Sequence, residues 1–152
     1  MDLRVDERFF LCYCSYMQDT IVNETIRKLH PLLAACPSVG FVYLFGSQAV
    51  GSAGPASDFD IAIFFDEHNP ILRHETLFRL SANIARALGN DAVDIKSIND
   101  LTSPELKYHI IHDGILLYEH GPHRLIIEPR ILNEYFDFTY LLRKYGLTKQ
   151  PA

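Results

Sequence analysis

Two apolar runs that flank a short polar segment constrain the fold more than any other feature of the sequence. The first run, residues 41–45, is rich in aromatic and β-branched side chains and ends at a Gly-Ser pair. The second run, residues 57–65, carries Asp58 and Asp60 at its start and continues as an apolar segment. Runs of this length and composition predict two buried strands. Because an ionised carboxylate is unfavourable in a strand unless its charge is compensated, the two aspartates require an explanation.

Strand geometry offers one explanation, a site for a metal ion and a phosphate. Side chains at positions i and i+2 point to the same face of a strand, so Asp58 and Asp60 can converge on a cation. Carboxylate oxygens suit Mg²⁺, which completes its coordination with water and substrate phosphates. Gly46 would let the backbone approach a phosphate, and Ser47 would offer its hydroxyl and the amides of a following helix. The pattern predicts metal on one side of the site and triphosphate on the other.

The same residues carry a family resemblance. The pair Gly46-Ser47, ten intervening residues and then Asp58-Phe59-Asp60 resemble the signature of the nucleotidyltransferase superfamily that includes DNA polymerase β. The short chain and the apolar lead-in to the Gly-Ser pair are similar to its minimal nucleotidyltransferases, the MNT antitoxins.

The similarity covers residues 38–145 and extends beyond the first motif. It includes Val93-Asp94-Ile95 and the stretch Asp-Gly-x-x-Leu-Tyr-Glu at residues 113–119. The resemblance implies an α/β (α+β) chain with the nucleotidyltransferase fold, in which helices flank a small, mixed and twisted sheet.

The resemblance also implies an activity. MNT antitoxins transfer AMP from ATP to a tyrosine of a HEPN ribonuclease toxin. We therefore expect Mg²⁺ and ATP as cofactors, and a HEPN-type toxin as the partner in a hetero-oligomer. Two other functions remain open: neutralisation of the toxin by stoichiometric binding, and nucleotidyl transfer to a small molecule. The last usually needs a second lobe to hold the acceptor, for which 152 residues leave little room.

Asp94 is the third carboxylate of interest, on a predicted third strand. If that strand lies beside the second, Asp94 faces Asp58 and Asp60 and either shares a metal with them or accepts the proton of an incoming hydroxyl. The resemblance likens it to the third catalytic acidic residue of the family. We therefore expect these three aspartates to be the catalytic and metal-binding residues, and Gly46 and Ser47 to bind the nucleotide.

The chain departs from the family directly after the Gly-Ser pair. Many members carry Arg-x-Arg-Gly there, whereas residues 48–51 of this chain are Gln-Ala-Val-Gly. An arginine at this place supplies positive charge beside the triphosphate, so its absence puts nucleotide affinity or the transfer rate in question. The candidates to compensate are Arg73, Arg79, Arg86 and Lys96. Lys96 lies on the strand face of Asp94, where we expect it to be solvated.

Composition excludes several other classes of protein. The net charge of −5 argues against a broad basic face for nucleic acid. The apolar run 9–17 is about half the length that spans a bilayer, and the mixed-charge start is not that of a signal peptide. Three cysteines, an odd number, favour reduced thiols over a disulfide framework. We therefore expect a cytoplasmic protein that binds neither membrane nor nucleic acid directly.

The chain divides into one domain and two short ends. Residues 1–17 form an N-terminal extension of uncertain role, residues 18–146 the minimal nucleotidyltransferase domain, and residues 147–152 a tail. Residues 18–20 (Gln-Asp-Thr) are a plausible helix cap, so one hypothesis is that translation starts at Met17. The alternative is that the apolar run of the extension packs on the core or on a partner.

Apolar periodicity and turn residues predict the other elements. They are a helix at 21–35, a strand at 40–45, a short helix at 48–52, a helix at 71–88, a strand at 91–98, a helix at 103–112, a strand at 115–119 and a helix at 124–146. Pro129 would kink the last helix or set its start. Its aromatic residues either pack in the core or mark a partner interface. His109 and His112 have a spacing that permits metal binding, but no third ligand accompanies them.

Overall fold

The computed structural model describes residues 7–52, 54 and 57–148, with side chains from residue 19 onward. Helices and strands follow one another as α1 (Glu7–Ala34), β1 (Val39–Phe45), β2 (Phe59–Phe65), α2 (Pro70–Leu88), β3 (Val93–Ser97), α3 (Pro104–Asp113), β4 (Ile115–Glu119) and α4 (His123–Lys144). The predictions for residues 1–6, for the side chains of the apolar run 9–17 and for residues 149–152 of the tail lie outside the described residues.

Within the described ranges, four strands form one mixed sheet in the order β3-β2-β1-β4. β1 is antiparallel to β2 and to β4, whereas β2 is parallel to β3. α2 supplies the crossover that a parallel pair requires. All seven residues of β1 are buried, as expected for an inner strand covered on both faces. The predicted fold class, a small mixed sheet flanked by helices, is confirmed.

Helices cover both faces of the sheet, and each face has its own core. On one face, Leu29 of α1 and Ile84 of α2 pack in a cluster with Ile63 of β2. On the other face, Ile110 of α3 packs in a cluster with Ala62 of β2. Because side chains alternate along a strand, the other even-numbered residues of β2 share the face of Ala62. Asp60, at the start of β2, is therefore on the face of the sheet that α3 and α4 cover.

The ends of α2 and α3 follow local sequence signals. The Asn69 side chain accepts a hydrogen bond from the Ile71 amide at 2.9 Å, which caps the start of α2. Gly89 ends that helix in the left-handed conformation, with φ +62°. Ser103 caps α3 by accepting from the Leu106 amide at 3.2 Å. The predicted Gly89 stop and Ser103 cap are confirmed.

α1 is longer than predicted. It begins at Glu7 and continues through residues 18–20, so the predicted cap there is wrong. A helix start at that point would leave its first amides without intrahelical partners, whereas continuation satisfies them along the chain. The hypothesis of a start at Met17 and the boundary between extension and domain remain predictions.

Two further elements differ from the sequence prediction. In place of a helix at 48–52, the chain forms a single 3₁₀ turn over Gly46–Gln48. It closes early because the amides of Ala49 and Val50 both donate to the Gly46 carbonyl, at 3.1 and 3.2 Å. α4 begins at His123 and runs through Pro129, so Pro129 does not set its start. Pro129 is exposed, where water can hydrate the carbonyl that loses its donor.

The aromatic residues on α4, and Tyr145 directly after it, are half-buried or exposed. Tyr135 is half-buried and stacks on Tyr108 of α3, with ring centroids 3.9 Å apart. Phe136 and Tyr145 are 58% and 66% exposed, so the prediction that they pack in the core is wrong. The alternative for these two side chains, a partner interface, remains a prediction.

None of the helices in the described part of the chain combines the length and apolarity needed to cross a membrane. Cys36 is a free, half-buried thiol, with its Sγ 3.5 Å from the Ser38 Oγ.

Candidate active site

The end of β1 brings the backbone against a carboxylate. Gly46 follows the strand with φ +72°, a conformation that favours glycine. Its neighbour Phe45 pairs with Asp60 in the β1–β2 ladder. A Cβ atom added to Gly46 would lie 2.2 Å from the Asp60 Oδ2. Any larger residue here would have to displace this carboxylate or the turn, so the turn and the acidic residue are closely coupled.

Asp60 and Asp94 are neighbours across the parallel strands β2 and β3. They are paired in the register, and so occupy the same face of the sheet. Burial raises the pKa of Asp60, and the negative charges of Asp94 and Asp58 raise it further, against an opposing effect of Lys96. Like charges that lie this close favour a bound cation. Asp60 and Asp94 are therefore adjacent, whereas the convergence of all three aspartates on one metal ion remains a prediction.

Asp58 differs from the prediction in one respect. β2 begins at Phe59, so Asp58 lies just before the strand and is exposed. The ladder to β3 starts with Phe59 opposite Val93, so its register does not include Asp58. The rule for alternate strand positions therefore does not fix the direction of the Asp58 side chain.

Asp94 is engaged by a lysine. The Lys96 Nζ lies 2.5 Å from the Asp94 Oδ2, and the two side chains are 33% and 50% exposed. The sequence predicts a solvated Lys96, whereas in the structure Lys96 forms an ion pair with Asp94. Among the described residues, no group of three or more His, Cys, Asp or Glu side chains is arranged to hold a metal ion. The donor chemistry nevertheless fits Mg²⁺, because Asp60, whose pKa is raised, lies beside the Asp94 carboxylate, and carboxylate oxygens suit a hard cation.

Ser47 and Gln48 complete the turn. Ser47 is half-buried in the 3₁₀ turn, and its carbonyl accepts a hydrogen bond from the Ser52 amide at 3.1 Å. The Gln48 side-chain amide donates to the Ser57 carbonyl at 3.3 Å. Gln48, which stands where the family pattern has arginine, therefore ties the turn to the segment before Asp58. Neither spacing nor periodicity signals this contact.

The four basic residues predicted to compensate for the missing arginine lie in different parts of the structure. Arg73 donates to Asp100 at 2.6 Å and to backbone carbonyls beyond the end of β2. Gly46 lies beside the start of β2, so Arg73 is at the opposite end of the strands. Arg79 lines a groove between α1 and α2, and Arg86 is exposed in the last turn of α2. Lys96 is the candidate that lies beside the aspartates.

His109 and His112 do not indicate a metal centre. Their Nδ1 atoms lie 2.8 and 2.6 Å from the two carboxylate oxygens of Asp113, at the end of α3. The hydrogen bonds from His112 and His109 lower the pKa of Asp113. The pair is occupied by one carboxylate, in agreement with the lack of a third ligand in the sequence.

Comparison with known proteins places the chain in a family. Residues 27–123 match the family described as "Polymerase beta, Nucleotidyltransferase". The protein adenylyltransferase MntA of Aphanizomenon flos-aquae is 31% identical over 113 residues, which cover 68% of this chain and 73% of that protein.

Solved structures share the fold. A chain of a toxin–antitoxin complex with AMP-PNP has a TM-score of 0.62 and 22% identity, covering 82% of this chain and 94% of its own length. A chain from the complex of a tri-AMPylated Shewanella oneidensis HEPN toxin with its MNT antitoxin has a TM-score of 0.54 and 21% identity, covering 86% and 93%. By the match over residues 27–123, the chain belongs to the polymerase β nucleotidyltransferase family.

Proposed function

We propose that this chain is an antitoxin that transfers AMP from ATP to a tyrosine of a cognate HEPN ribonuclease toxin. The observation that carries the proposal is the pairing of Asp60 with Asp94, beside a glycine whose missing Cβ leaves room for the Asp60 carboxylate. Similarity to the protein adenylyltransferase MntA supports a protein as the acceptor. We place the activity in the cytoplasm, where ATP and reduced thiols are available.

Each polar group of the site has a role in this reaction. Asp58 and Asp60 would hold Mg²⁺, with Asp94 as a third ligand. Bound Mg²⁺ would neutralise charge on the phosphate oxygens of ATP. Gly46 and Ser47 form the turn that receives the triphosphate, where the missing Cβ lets phosphate oxygens approach the backbone. Positioning and charge neutralisation dominate phosphoryl-type transfer, so the chain needs few other groups.

The bond changes are those of an in-line substitution. The tyrosine oxygen forms a bond to the α-phosphorus while the bond from that phosphorus to the bridging oxygen breaks, and pyrophosphate leaves. The tyrosine proton passes to Asp94, which is half exposed and stands beside Asp60. Asp94 must first release Lys96, since the lysine ammonium occupies one of its oxygens.

Label transfer from α-labelled ATP tests the proposal. The chain is incubated with Mg²⁺ and the catalytically intact HEPN toxin, and the label on the toxin is counted. We expect the toxin to be labelled by the wild-type chain and to carry no label after incubation with the double variant Asp58→Asn and Asp60→Asn. Absence of label with the wild-type chain, in an assay that detects transfer by a known adenylyltransferase, would reject the proposal.

Neutralisation by binding alone is the second candidate. It is favoured by the lack of a basic residue at positions 48–51 and by the exposed apolar side chains of α4. The same double variant separates the two functions: loss of protection against the toxin indicates catalysis, and full protection with an intact complex indicates occlusion.

A further inference from the structure

Lys96 is positioned to act on more than Asp94. It lies on β3 two residues after Asp94 and opposite Ala62, so it shares the sheet face of Asp60. Its positive charge lowers the pKa of Asp60, against the combined effect of burial and the two other aspartates. The ammonium group therefore acts on both Asp94 and Asp60.

The other basic side chains with described partners are engaged elsewhere. Arg73 pairs with Asp100, which follows the end of β3, at the opposite end of the strands from Asp94. Arg124 pairs with Glu119 at 3.1 Å, and Lys107 pairs with Glu134 of α4 at 2.8 Å. In the described part of the chain, Lys96 is the cation that contacts Asp94 and shares the sheet face of Asp60.

We propose that Lys96 is a phosphate-binding residue that takes the part of the arginine missing after the Gly-Ser pair. In this structure it holds Asp94; with Asp94 engaged by a bound metal ion, the Lys96 ammonium would be free to contact the triphosphate. The inference rests on the proposed function and assigns a further residue to the same site.

The exchange is physically inexpensive. A partly exposed ion pair contributes little to stability, because water screens it and two side chains lose freedom. A lysine ammonium is a compact charge on a flexible four-carbon stem, so it can move from a carboxylate to a phosphate without backbone change. A divalent cation outcompetes a single ammonium for a carboxylate that already has acidic neighbours.

Binding of the non-hydrolysable analogue AMP-PNP with Mg²⁺, measured by calorimetry, tests the role without relying on turnover. We expect Lys96→Met to weaken binding on the order of tenfold, as for loss of one charge-assisted contact. Lys96→Arg should restore most of the affinity. The thermal midpoint of Lys96→Met should stay close to that of the wild type.

Lys28→Met is a matched control. Lys28 pairs with Glu24 on α1, and these side chains are 36% and 51% exposed, nearly the values of the Lys96 pair. Removing this lysine deletes an equivalent ion pair away from the site, so affinity should not change.

Two negative results have different meanings. If the wild-type chain does not bind AMP-PNP in the presence of Mg²⁺, the proposed function itself fails. If the wild type binds and Lys96→Met binds equally well or more tightly, Lys96 only restrains Asp94, and the inference is overturned while the proposed function stands.

Discussion

The Gly46→Ala substitution tests the unit formed by the turn and the acidic cluster. A Cβ at this position lies 2.2 Å from the Asp60 Oδ2, whereas ordinary van der Waals contact begins at 3.4 Å. The carboxylate or the turn must therefore move by about 1.2 Å. Displacements of this size in a catalytic arrangement reduce rates by roughly 100-fold.

The same substitution also carries a backbone cost, which a control can isolate. A non-glycine residue in the left-handed region costs about 1–2 kcal/mol. Gly89 has φ +62° and nothing within 4 Å of its added Cβ, so Gly89→Ala brings comparable backbone strain without the collision. For a chain of this size, the melting temperature should fall by about 2–8 °C in each variant.

The assay pairs thermal unfolding with AMP transfer to the toxin at a temperature where both variants are folded. We expect both to be destabilised, but only Gly46→Ala to lose transfer by about two orders of magnitude. Equal activity of the two variants would refute the reasoning that Gly46 exists to accommodate Asp60.

Three further predictions concern stability. In metal-free buffer, Asp60→Asn should raise the melting temperature at neutral pH. The pKa of Asp60 is raised in the folded state, so the wild-type chain loses stability as pH rises from 3.8 through that pKa. An unchanged or lower melting temperature contradicts this prediction. Tyr43→Phe should lower the free energy of unfolding in urea by about 1.5–3 kcal/mol, since the buried hydroxyl donates to the Glu128 carboxylate; a loss below about 0.5 kcal/mol would show that water replaces the contact. Arg73→Ala should cost about 1 kcal/mol near neutral pH and progressively less in acid, because the hydrogen bond from Arg73 lowers the pKa of Asp100 and the benefit is lost as pH falls through it. This last variant should leave AMP-PNP affinity unchanged, and a loss of affinity would place Arg73 in the site.

Local patterns predicted the centre of the molecule well. The strands on either side of the Gly46 turn follow from short apolar runs, and the burial of β1 explains why the first run contains only aliphatic and aromatic residues. Asp94 could be connected with Asp60 from sequence only by supposing that their strands are adjacent. The register between β2 and β3 supplies that fact.

Sequence patterns could not predict which side chains from separate segments are in contact. The hydrogen bond from Gln48 to Ser57 depends on how the intervening loop returns, which no periodicity records. The pairing of Lys96 with Asp94 has a simple strand spacing, but spacing cannot distinguish an ion pair from two solvated charges. The start of α1 was misplaced because a polar triplet resembles a cap even where the helix continues.

A crystal structure of the chain with Mg²⁺ and AMP-PNP is the most direct test of the central claim. The account predicts a metal ion about 2.1 Å from oxygens of Asp58 and Asp60, with the triphosphate lying over Gly46 and Ser47. A nucleotide bound elsewhere, or a metal ion that Asp60 does not contact, would contradict it.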